Sequence, residues 1–243
     1  QRALHLRSFL LATSNAHGLY ENYGDFKALE GSDFYMKRTT KMTDPYLEIS
    51  DLHPDPLNLF AIWYAEARAH TTGLAHAMSL ATVDKRGRPA ARMVLLSEFG
   101  PQGFSFYSHY QSRKGLEMYK TPYAALVFYW PELDRQIRVE GKVVKAPDEQ
   151  SDTYFATRPR ESQLWAWASP QSTEIESRQE LLGRFDEFSG RFGEDEIPRP
   201  PDWGGYLVRP DHFEFWTARP GRLHDRFAYD LQDETWSLSR LAP

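Results

Sequence analysis

Residues 77–96 read AMSLATVDKRGRPAARMVLL and contain two apolar runs on either side of a short polar turn. The first run covers residues 77–83 and the second covers residues 90–96, with the turn DKRG at 84–87 between them. Runs of this length around a turn that contains glycine are typical of a β-hairpin. The stretch therefore predicts two neighbouring antiparallel strands.

Further short strands are predicted on the C-terminal side of this hairpin. The predicted strands cover residues 104–108, 124–130, 136–144, 205–208, 212–216, 227–229 and 235–238, and one brief helical stretch covers 114–119. Closely spaced, mainly antiparallel strands favour a barrel over a doubly wound parallel sheet. We expect a mainly β fold with helices (α+β) built around a small β-barrel.

Three helices are predicted around these strands. The first begins at Asp55, which is suited to cap it, and Pro56, which is suited to its first turn. Apolar residues then recur at helical spacing, namely Leu57, Phe60, Trp63, Tyr64 and Ala67. Residues 148–157 and 174–192 are also predicted helical, and the proline-rich residues 194–202 extended. Residues 1–50 show no sustained period, so we expect an N-terminal arm or a poorly ordered extension before one domain at 51–243.

Composition excludes several classes of protein. The chain has 243 residues, 41% hydrophobic and 26% charged, and no apolar run approaches the roughly 18 residues of a membrane-spanning helix. It contains no cysteine, which excludes disulfides, thiolate metal sites and a cysteine nucleophile and suggests a cytoplasmic setting. A net charge of −5 argues against nucleic acid as a partner. Any bound anion must therefore meet a local cluster of basic residues.

Three basic clusters lie at or beside predicted strand ends, namely Arg92 and the two runs that follow, and the two runs are candidates for an anion site. The run Ser112-Arg113-Lys114 follows a predicted strand and opens a predicted helix, where backbone amides and cations converge on one anion. The run Arg222-Leu223-His224-Asp225-Arg226 would place Arg222, His224 and Arg226 on one face if it were a strand. A solvated turn remains the alternative for the first run.

A third candidate site rests on spacing alone. Tyr154, Arg158 and Ser162 are four residues apart at the end of a predicted helix, with Ser162 on the turn beyond it, so three donors can point toward one anionic group. In the strand around Gln136, the residues Arg138 and Glu140 share its face, and we interpret both as half-exposed surface residues.

These motifs, taken together, resemble the pyridoxamine 5′-phosphate oxidase family. The resemblance runs in order from about residue 51 to the C-terminus, over about four fifths of the chain. The motifs that carry it are Arg92-Met93-Val94-Leu95-Leu96, Ser112-Arg113-Lys114, Arg135-Gln136, Arg158-Pro159-Arg160-Glu161-Ser162-Gln163, Gln171-Ser172, Trp203-Gly204-Gly205, Glu214-Phe215-Trp216, Arg222-Leu223-His224-Asp225-Arg226 and Arg240-Leu241-Ala242-Pro243.

The resemblance implies a split β-barrel homodimer that binds FMN at the subunit interface. The implied FMN contacts are Arg92, Met93, Val94, Leu95, Leu96, Ser97, Tyr107, Ser108, Arg113, Lys114, Gln136, Gln171, Ser172, Trp216 and Arg226. It also implies that Gln171, Ser172 and Trp216 come from the chain opposite the one that supplies Arg92. No dinucleotide Gly-x-Gly-x-x-Gly motif is present, which favours FMN over FAD.

The implied substrate is pyridoxamine or pyridoxine 5′-phosphate, oxidised at C4′ to the aldehyde with dioxygen as acceptor and hydrogen peroxide as product. The implied phosphate ligands are Tyr154, Arg158 and Ser162, and the implied catalytic pair over the substrate is Arg222 and His224. No metal site, nucleic acid or membrane is implied.

Three departures from the family pattern keep other substrates open. Ser97 stands where the family usually has a lysine that binds the substrate phosphate, although Lys41 or Arg38 could supply that charge. The expected Arg-x-x-Tyr of the arm reads Thr39-Thr40-Lys41-Met42, and the turn before the first strand reads GLAH at 73–76. Two alternatives remain: an FMN oxidase of secondary metabolism, like the phenazine-biosynthesis oxidases, or a flavin- or pyridoxal-phosphate-binding protein with little turnover.

Overall fold

The computed structural model describes the backbone of residues 7–12, 26–28 and 35–40, and residues 46–243 in full. Strands β1 (Arg7–Ala12), β2 (Phe26–Ala28) and β3 (Tyr35–Thr40) form a small antiparallel sheet in the order β1-β3-β2. Regular strands were not expected in this stretch. Lys41, Met42 and the side chain of Arg38 lie outside the described residues, and an N-terminal arm or poorly ordered extension at residues 1–50 stays a prediction.

The main sheet has nine strands and confirms the predicted mainly β architecture. They are β4 (Ala77–Val83), β5 (Pro89–Leu95), β6 (Glu98–Gly100), β7 (Gly103–His109), β8 (Tyr123–Trp130), β9 (Arg135–Lys145), β10 (Trp203–Thr217), β11 (Asp225–Gln232) and β12 (Thr235–Arg240). The order is β12-β11-β10-β9-β8-β4-β5, and β7 pairs with both β10 and β6. The sheet curls into a half-barrel in which every described pairing is antiparallel.

Strand β10 is one long strand where two short strands, 205–208 and 212–216, were predicted. Its register with β9 shifts between Pro210 and His212. Proline cannot donate to a strand ladder, and such residues are found at bulges. The chain therefore bends at Pro210 without ending the strand. The N-terminal half of β10 pairs with β7, and the C-terminal half pairs with β11.

Helix α1 (Pro56–His70) confirms the helix that the apolar spacing predicted, and it packs against the half-barrel. The Asp55 carboxylate accepts a hydrogen bond of 2.8 Å from the backbone N–H of Leu57 and caps the helix. The ring of the fully buried Phe60 lies 4.8 Å from that of Phe104 and 5.1 Å from that of Phe128. Aromatic burial of this kind contributes much of the core stability.

The remaining helices are α2 (Arg113–Lys120), α3 (Asp148–Ala156), α4 (Arg160–Ala168) and α5 (Arg178–Phe192). Helix α4 was not predicted, because Arg158-Pro159-Arg160 was interpreted only as the end of α3. Helix α5 begins four residues later than predicted, since Ser177 is its N-cap and accepts from the N–H of Glu180 at 3.1 Å. Within the described residues, none of the helices has the length and apolar character needed to cross a membrane.

Candidate functional site

The start of helix α2 brings the first group of basic side chains together. The Ser112 hydroxyl caps the helix by accepting from the N–H of Gly115 at 3.3 Å. A Cβ on Gly115 would lie 2.3 Å from the carbonyl oxygen of Tyr110, so only glycine fits there. The predicted arrangement of strand, Ser-Arg-Lys and helix is confirmed, and it places Arg113 and Lys114 in the first turn.

Arg92 of β5 joins this group through a buried carboxylate. Glu117 of α2 is 6% exposed and accepts from Arg92 Nη2 at 2.9 Å and from Arg113 Nε at 2.8 Å. Arg92 also donates to the hydroxyl of Thr82 at 2.5 Å. Glu117 was not among the predicted site residues, although its spacing of four from Arg113 is a recognisable ion-pair signal.

Lys114 lies between this carboxylate group and a loop after α4. Its ammonium donates to the Gln171 side-chain oxygen at 2.7 Å, and Ser108 donates to the same oxygen at 2.9 Å. Burial first, and the nearby charge of Arg92 second, lower the pKa of Lys114 to about 8 against the opposing effect of Glu117. Several half-buried cations close together are costly unless an anion joins them.

Gln171 lies beside Lys114 of the same chain. Which chain of a dimer supplies Gln171, Ser172 and Trp216 to a flavin site stays a prediction. Ser172 lines a hollow of about 740 Å³ together with Arg113 and Glu117. It adopts a left-handed backbone with φ of 71°.

A second group surrounds a stack of aromatic rings. The rings of Tyr107 and Tyr154 are parallel within 3° and their centroids are 3.8 Å apart, and Trp203 stacks on Tyr107 at 5.5 Å. The guanidinium of Arg158 lies over Trp203 at 4.8 Å. Arg158 Nη1 is buried and has no hydrogen-bond partner within the described part of the chain. An unpaired buried donor of this kind calls for an acceptor.

The predicted trio of Tyr154, Arg158 and Ser162 does not lie on one helix. Helix α3 ends at Ala156, Arg158 lies in the connection, and Pro159 precedes α4. The placement of Ser162 on a turn is therefore wrong, because Ser162 lies in the first turn of α4. Proline is favourable at a helix start, where its missing N–H costs nothing.

His109 lies between the first and second groups and was not predicted. Its Nδ1 is 3.8 Å from a carboxylate oxygen of Asp202. Burial lowers the pKa of His109 against the opposing effect of Asp202, and Lys114 and Arg158 lower it further. Both basic groups therefore lie within electrostatic reach of one buried imidazole.

A third group forms a row across three strands. Trp216 of β10 pairs with Gln136 of β9 on one side and with Arg226 of β11 on the other. Beside this row, Glu214 is buried and accepts from Arg226 Nε at 2.8 Å and from Arg138 Nη1 at 2.9 Å. The interpretation of Arg138 as a surface residue is therefore incomplete, since it helps to fix Arg226 through Glu214.

The shared strand face predicted for Arg222, His224 and Arg226 is wrong. Pro220–Arg222 forms one 3-10 turn in which Gly221 and Arg222 have φ of 70° and 60°, and β11 begins only at Asp225. A strand cannot contain two such residues in succession. Arg222 and His224 therefore belong to a turn that leads into β11.

This turn holds His224 in a defined orientation. The backbone N–H of Arg219 donates to His224 Nδ1 at 3.1 Å, and the imidazole centroid lies 4.7 Å from that of Trp216. Because Nδ1 accepts, the neutral ring carries its proton on Nε2. Asp225, 2% exposed, fixes the turn by accepting from Arg219 at 2.6 Å, Arg240 at 3.0 Å and the N–H of Leu47 at 3.2 Å.

The strand from Arg92 onward alternates between the interior and the surface. Met93 is 64% exposed and Leu95 is 50% exposed, whereas Leu96 is buried. Val94 and Ser97 are half-buried, and the N–H of Ser97 donates to the carbonyl of Ser105 at 2.9 Å. Exposed apolar residues on the outermost strand of a sheet are typical of a protein interface.

Comparisons with known proteins match most of the part of the chain that carries these three groups of residues. A family model described as pyridoxamine 5′-phosphate oxidase matches residues 66–192, and one described as the pyridoxine 5′-phosphate oxidase C-terminal dimerisation region matches residues 203–243.

Two bacterial relatives are named pyridoxine/pyridoxamine 5′-phosphate oxidase. The one from Chromohalobacter salexigens is 53% identical over 199 residues and the one from Cupriavidus taiwanensis 51% over 198. Both alignments cover 81% of this chain and 93% of the relative.

A similar solved structure is that of PhzG from Burkholderia lata 383 in complex with tetrahydrophenazine-1-carboxylic acid. It has a TM-score of 0.76 and 30% identity, and the alignment covers 83% of this chain and 98% of that one.

Proposed function

Since the chain belongs to the pyridoxamine 5′-phosphate oxidase family, whose members are FMN-dependent oxidoreductases, we propose that it oxidises pyridoxamine or pyridoxine 5′-phosphate to pyridoxal 5′-phosphate. Dioxygen is the acceptor and hydrogen peroxide the product. The observation that carries the substrate assignment is the buried Nη1 of Arg158, which has no partner in the part of the chain that the structure describes and lies beside stacked aromatic rings. A planar ring that bears a phosphate suits both features.

The residues of the first group fit the phosphate of FMN. Arg92, Arg113 and Lys114 supply three positive charges, and Glu117 supplies one negative charge. A phosphate monoester carries about −1.5 to −2 charges at pH 7, so it complements the net charge of this group. Gln136, Trp216 and Arg226 form the second set of residues proposed to hold FMN, at the row across β9, β10 and β11.

Bound FMN supplies the redox chemistry, because it accepts a hydride and returns two electrons to dioxygen. The chain's own residues bind and orient the substrate. Arg158 anchors the substrate phosphate, with Tyr154 and Ser162 beside it. Arg222 and His224 act at the reacting end, where the Arg219 hydrogen bond to Nδ1 makes Nε2–H the donor of the neutral His224 ring. Fixing both ends of a substrate lowers the entropic cost of reaction.

A turnover assay tests this proposal. Aerated, FMN-loaded protein with pyridoxamine 5′-phosphate should form aldehyde and hydrogen peroxide in equal amounts. Absence of both products with a fully loaded protein would reject the proposal. Oxidation of a carboxylated tricyclic ring instead would select the phenazine-type alternative. The similarity to PhzG raises this alternative, but the 30% identity to PhzG supports it less than the 53% identity to the Chromohalobacter salexigens relative supports the proposed function.

We also propose that the active form is a homodimer. The match of residues 203–243 to a dimerisation region and the exposed Met93 and Leu95 on β5 support it. If both chains contribute to the flavin site, dilution should release monomer and FMN together, since ligand and subunit binding are linked. Analytical ultracentrifugation with detection at the flavin absorbance measures this. A monomer that keeps its flavin would contradict it.

The lowered pKa of Lys114 predicts how FMN binding depends on pH. Its pKa of about 8 means that the ammonium is charged below pH 8 and loses its proton above it. Because only the charged form attracts phosphate, the FMN dissociation constant should be flat below pH 8. Above it, the constant should rise by up to about tenfold per pH unit.

Titration of the apoprotein with FMN, followed by flavin fluorescence from about pH 6.5 to about pH 9.5, brackets the pKa of Lys114 and measures this dependence. Riboflavin, which lacks the phosphate, should show no such rise. Lys114→Arg keeps its charge over this range and should flatten the FMN profile. An equal rise for riboflavin, or an unchanged rise in Lys114→Arg, would contradict the assignment.

A further inference from the structure

Glu117 occupies the base of the basic group rather than its open side. It is 6% exposed, and both of its carboxylate oxygens are used within the protein. Oε1 accepts from Arg113 Nε at 2.8 Å, and Oε2 accepts from Arg92 Nη2 at 2.9 Å and from the Thr82 hydroxyl at 2.5 Å. Glu117 therefore links helix α2 to Thr82 of β4 and to Arg92 of β5. We call this set of contacts the brace, and Glu117 serves in it rather than as an anion ligand.

The bonds to Glu117 set the direction of both arginine side chains. Arg113 is held through Nε, and its side chain is 64% exposed, so the end of its guanidinium extends outward from the brace. Arg92 is held from two sides, by Glu117 through Nη2 and by Thr82 and the carbonyls of Leu80 and Ala90 through Nη1. Charge-assisted bonds of this type are short and directional.

Glu117 also limits repulsion within the group. Without it, the positive charges of Arg92, Arg113 and Lys114 would lie close together with no carboxylate among them. Although burial alone would raise its pKa, the hydrogen bonds from Thr82, Arg113 and Arg92 hold the pKa of Glu117 below its usual value, so it is ionised at neutral pH. A single buried carboxylate among three cations leaves a net charge close to that needed for one phosphate monoester.

We propose that Glu117 is a positioning residue, which holds Arg92 and Arg113 in the orientation that receives the FMN phosphate. This inference rests on the proposed function, because it takes the basic group as the phosphate site. Glu117 itself contacts neither flavin nor substrate in this account. It acts through the two arginines.

The test compares FMN with riboflavin as ligands of the apoprotein, measured by quenching of flavin fluorescence. Glu117→Gln preserves shape but cannot accept from both arginines, so its FMN dissociation constant should rise about tenfold or more. Its riboflavin dissociation constant should stay within about twofold, since riboflavin has no phosphate. A merely structural role would weaken both ligands equally and would overturn the proposal.

Asp84→Asn is the matched control. Asp84 lines the same hollow and pairs with Arg88, so its replacement removes one negative charge nearby without touching Arg92 or Arg113. The ratio of the FMN and riboflavin dissociation constants should not change in this variant. A change in that ratio as large as in Glu117→Gln would mean that net charge, and not positioning, is responsible, and would overturn the proposal.

Thr82→Val is a second variant in case Glu117→Gln does not fold. It removes the hydroxyl that contacts both Glu117 and Arg92, and should weaken FMN selectively by a smaller factor. If Thr82→Val leaves FMN binding unchanged, the brace is not needed and the proposal fails. If the wild-type protein binds riboflavin as tightly as FMN, the phosphate site itself is misassigned, which is a failure of the proposed function.

Discussion

Replacing Arg158 by alanine is expected to raise KM for pyridoxamine 5′-phosphate by about a hundredfold. A charge-assisted hydrogen bond to phosphate contributes about 1.5 to 3 kcal/mol, and a guanidinium can make two. Because Arg158 Nη1 is buried and has no hydrogen-bond partner among the described residues, it has already lost its water and gains fully from the phosphate. The contact is made in the ground state and the transition state alike, so kcat should change little.

Arg160→Ala is the matched control for this prediction. Arg160 is two residues away and exposed, and it donates to the backbone carbonyls of Gly193 and Asp195. Its loss should leave KM within about twofold, as surface substitutions usually do. Steady-state kinetics on FMN-loaded protein measure both variants. If Arg158→Ala leaves KM unchanged, the phosphate site is wrong, and so is the proposed substrate.

Replacing Ser97 by lysine is expected to lower KM for the same substrate by about tenfold. Ser97 is half-buried and bonds to the backbone of Ser105, which precedes Tyr107 by two residues on β7. The family pattern usually has a lysine that binds the substrate phosphate at this position, so a lysine here is expected to add one cation to the phosphate site.

The Ser97→Lys result separates two explanations of this departure from the family. If the enzyme uses a phosphorylated substrate, the new charge tightens binding and leaves kcat nearly unchanged. If it has been retuned for a ring without phosphate, the added ammonium has no anion to meet and KM stays the same or rises. Steady-state kinetics with pyridoxamine 5′-phosphate and with unphosphorylated pyridoxamine distinguish them, since only the phosphorylated substrate should improve.

The elements that local chemistry controls could be predicted from the sequence. The cap at Asp55, the hairpin around residues 84–87 and the strand, Ser-Arg-Lys and helix arrangement at Ser112 follow from side chains within a few residues of each element. Caps and turn residues act over this short range. The curled antiparallel sheet follows from the number and spacing of such strands.

Features that depend on pairing between distant segments could not be predicted in the same way. Gln136, Trp216 and Arg226 meet only because of the registers that β9, β10 and β11 adopt. The role of Glu117 likewise depends on Arg92, which is 25 residues away and on another element. A family resemblance can name such residues, but spacing cannot show what they contact.

Local errors had local causes as well. The segment around Pro159 was interpreted only as a helix end, although a proline also suits a helix start, and so α4 was missed. The alternation of charged residues at 222–226 was interpreted as a strand, but Gly221 permits a left-handed turn just before it. Both misinterpretations displaced the predicted positions of site residues without changing their identity.

The most direct test of the proposed function is the flavin absorbance of FMN-loaded protein without oxygen. Addition of pyridoxamine 5′-phosphate should bleach the yellow colour in one turnover, and admission of air should restore it with formation of hydrogen peroxide. Unphosphorylated pyridoxamine at the same concentration should bleach far more slowly, because it cannot use Arg158. A flavin that stays oxidised in the presence of saturating pyridoxamine 5′-phosphate would contradict the proposed function.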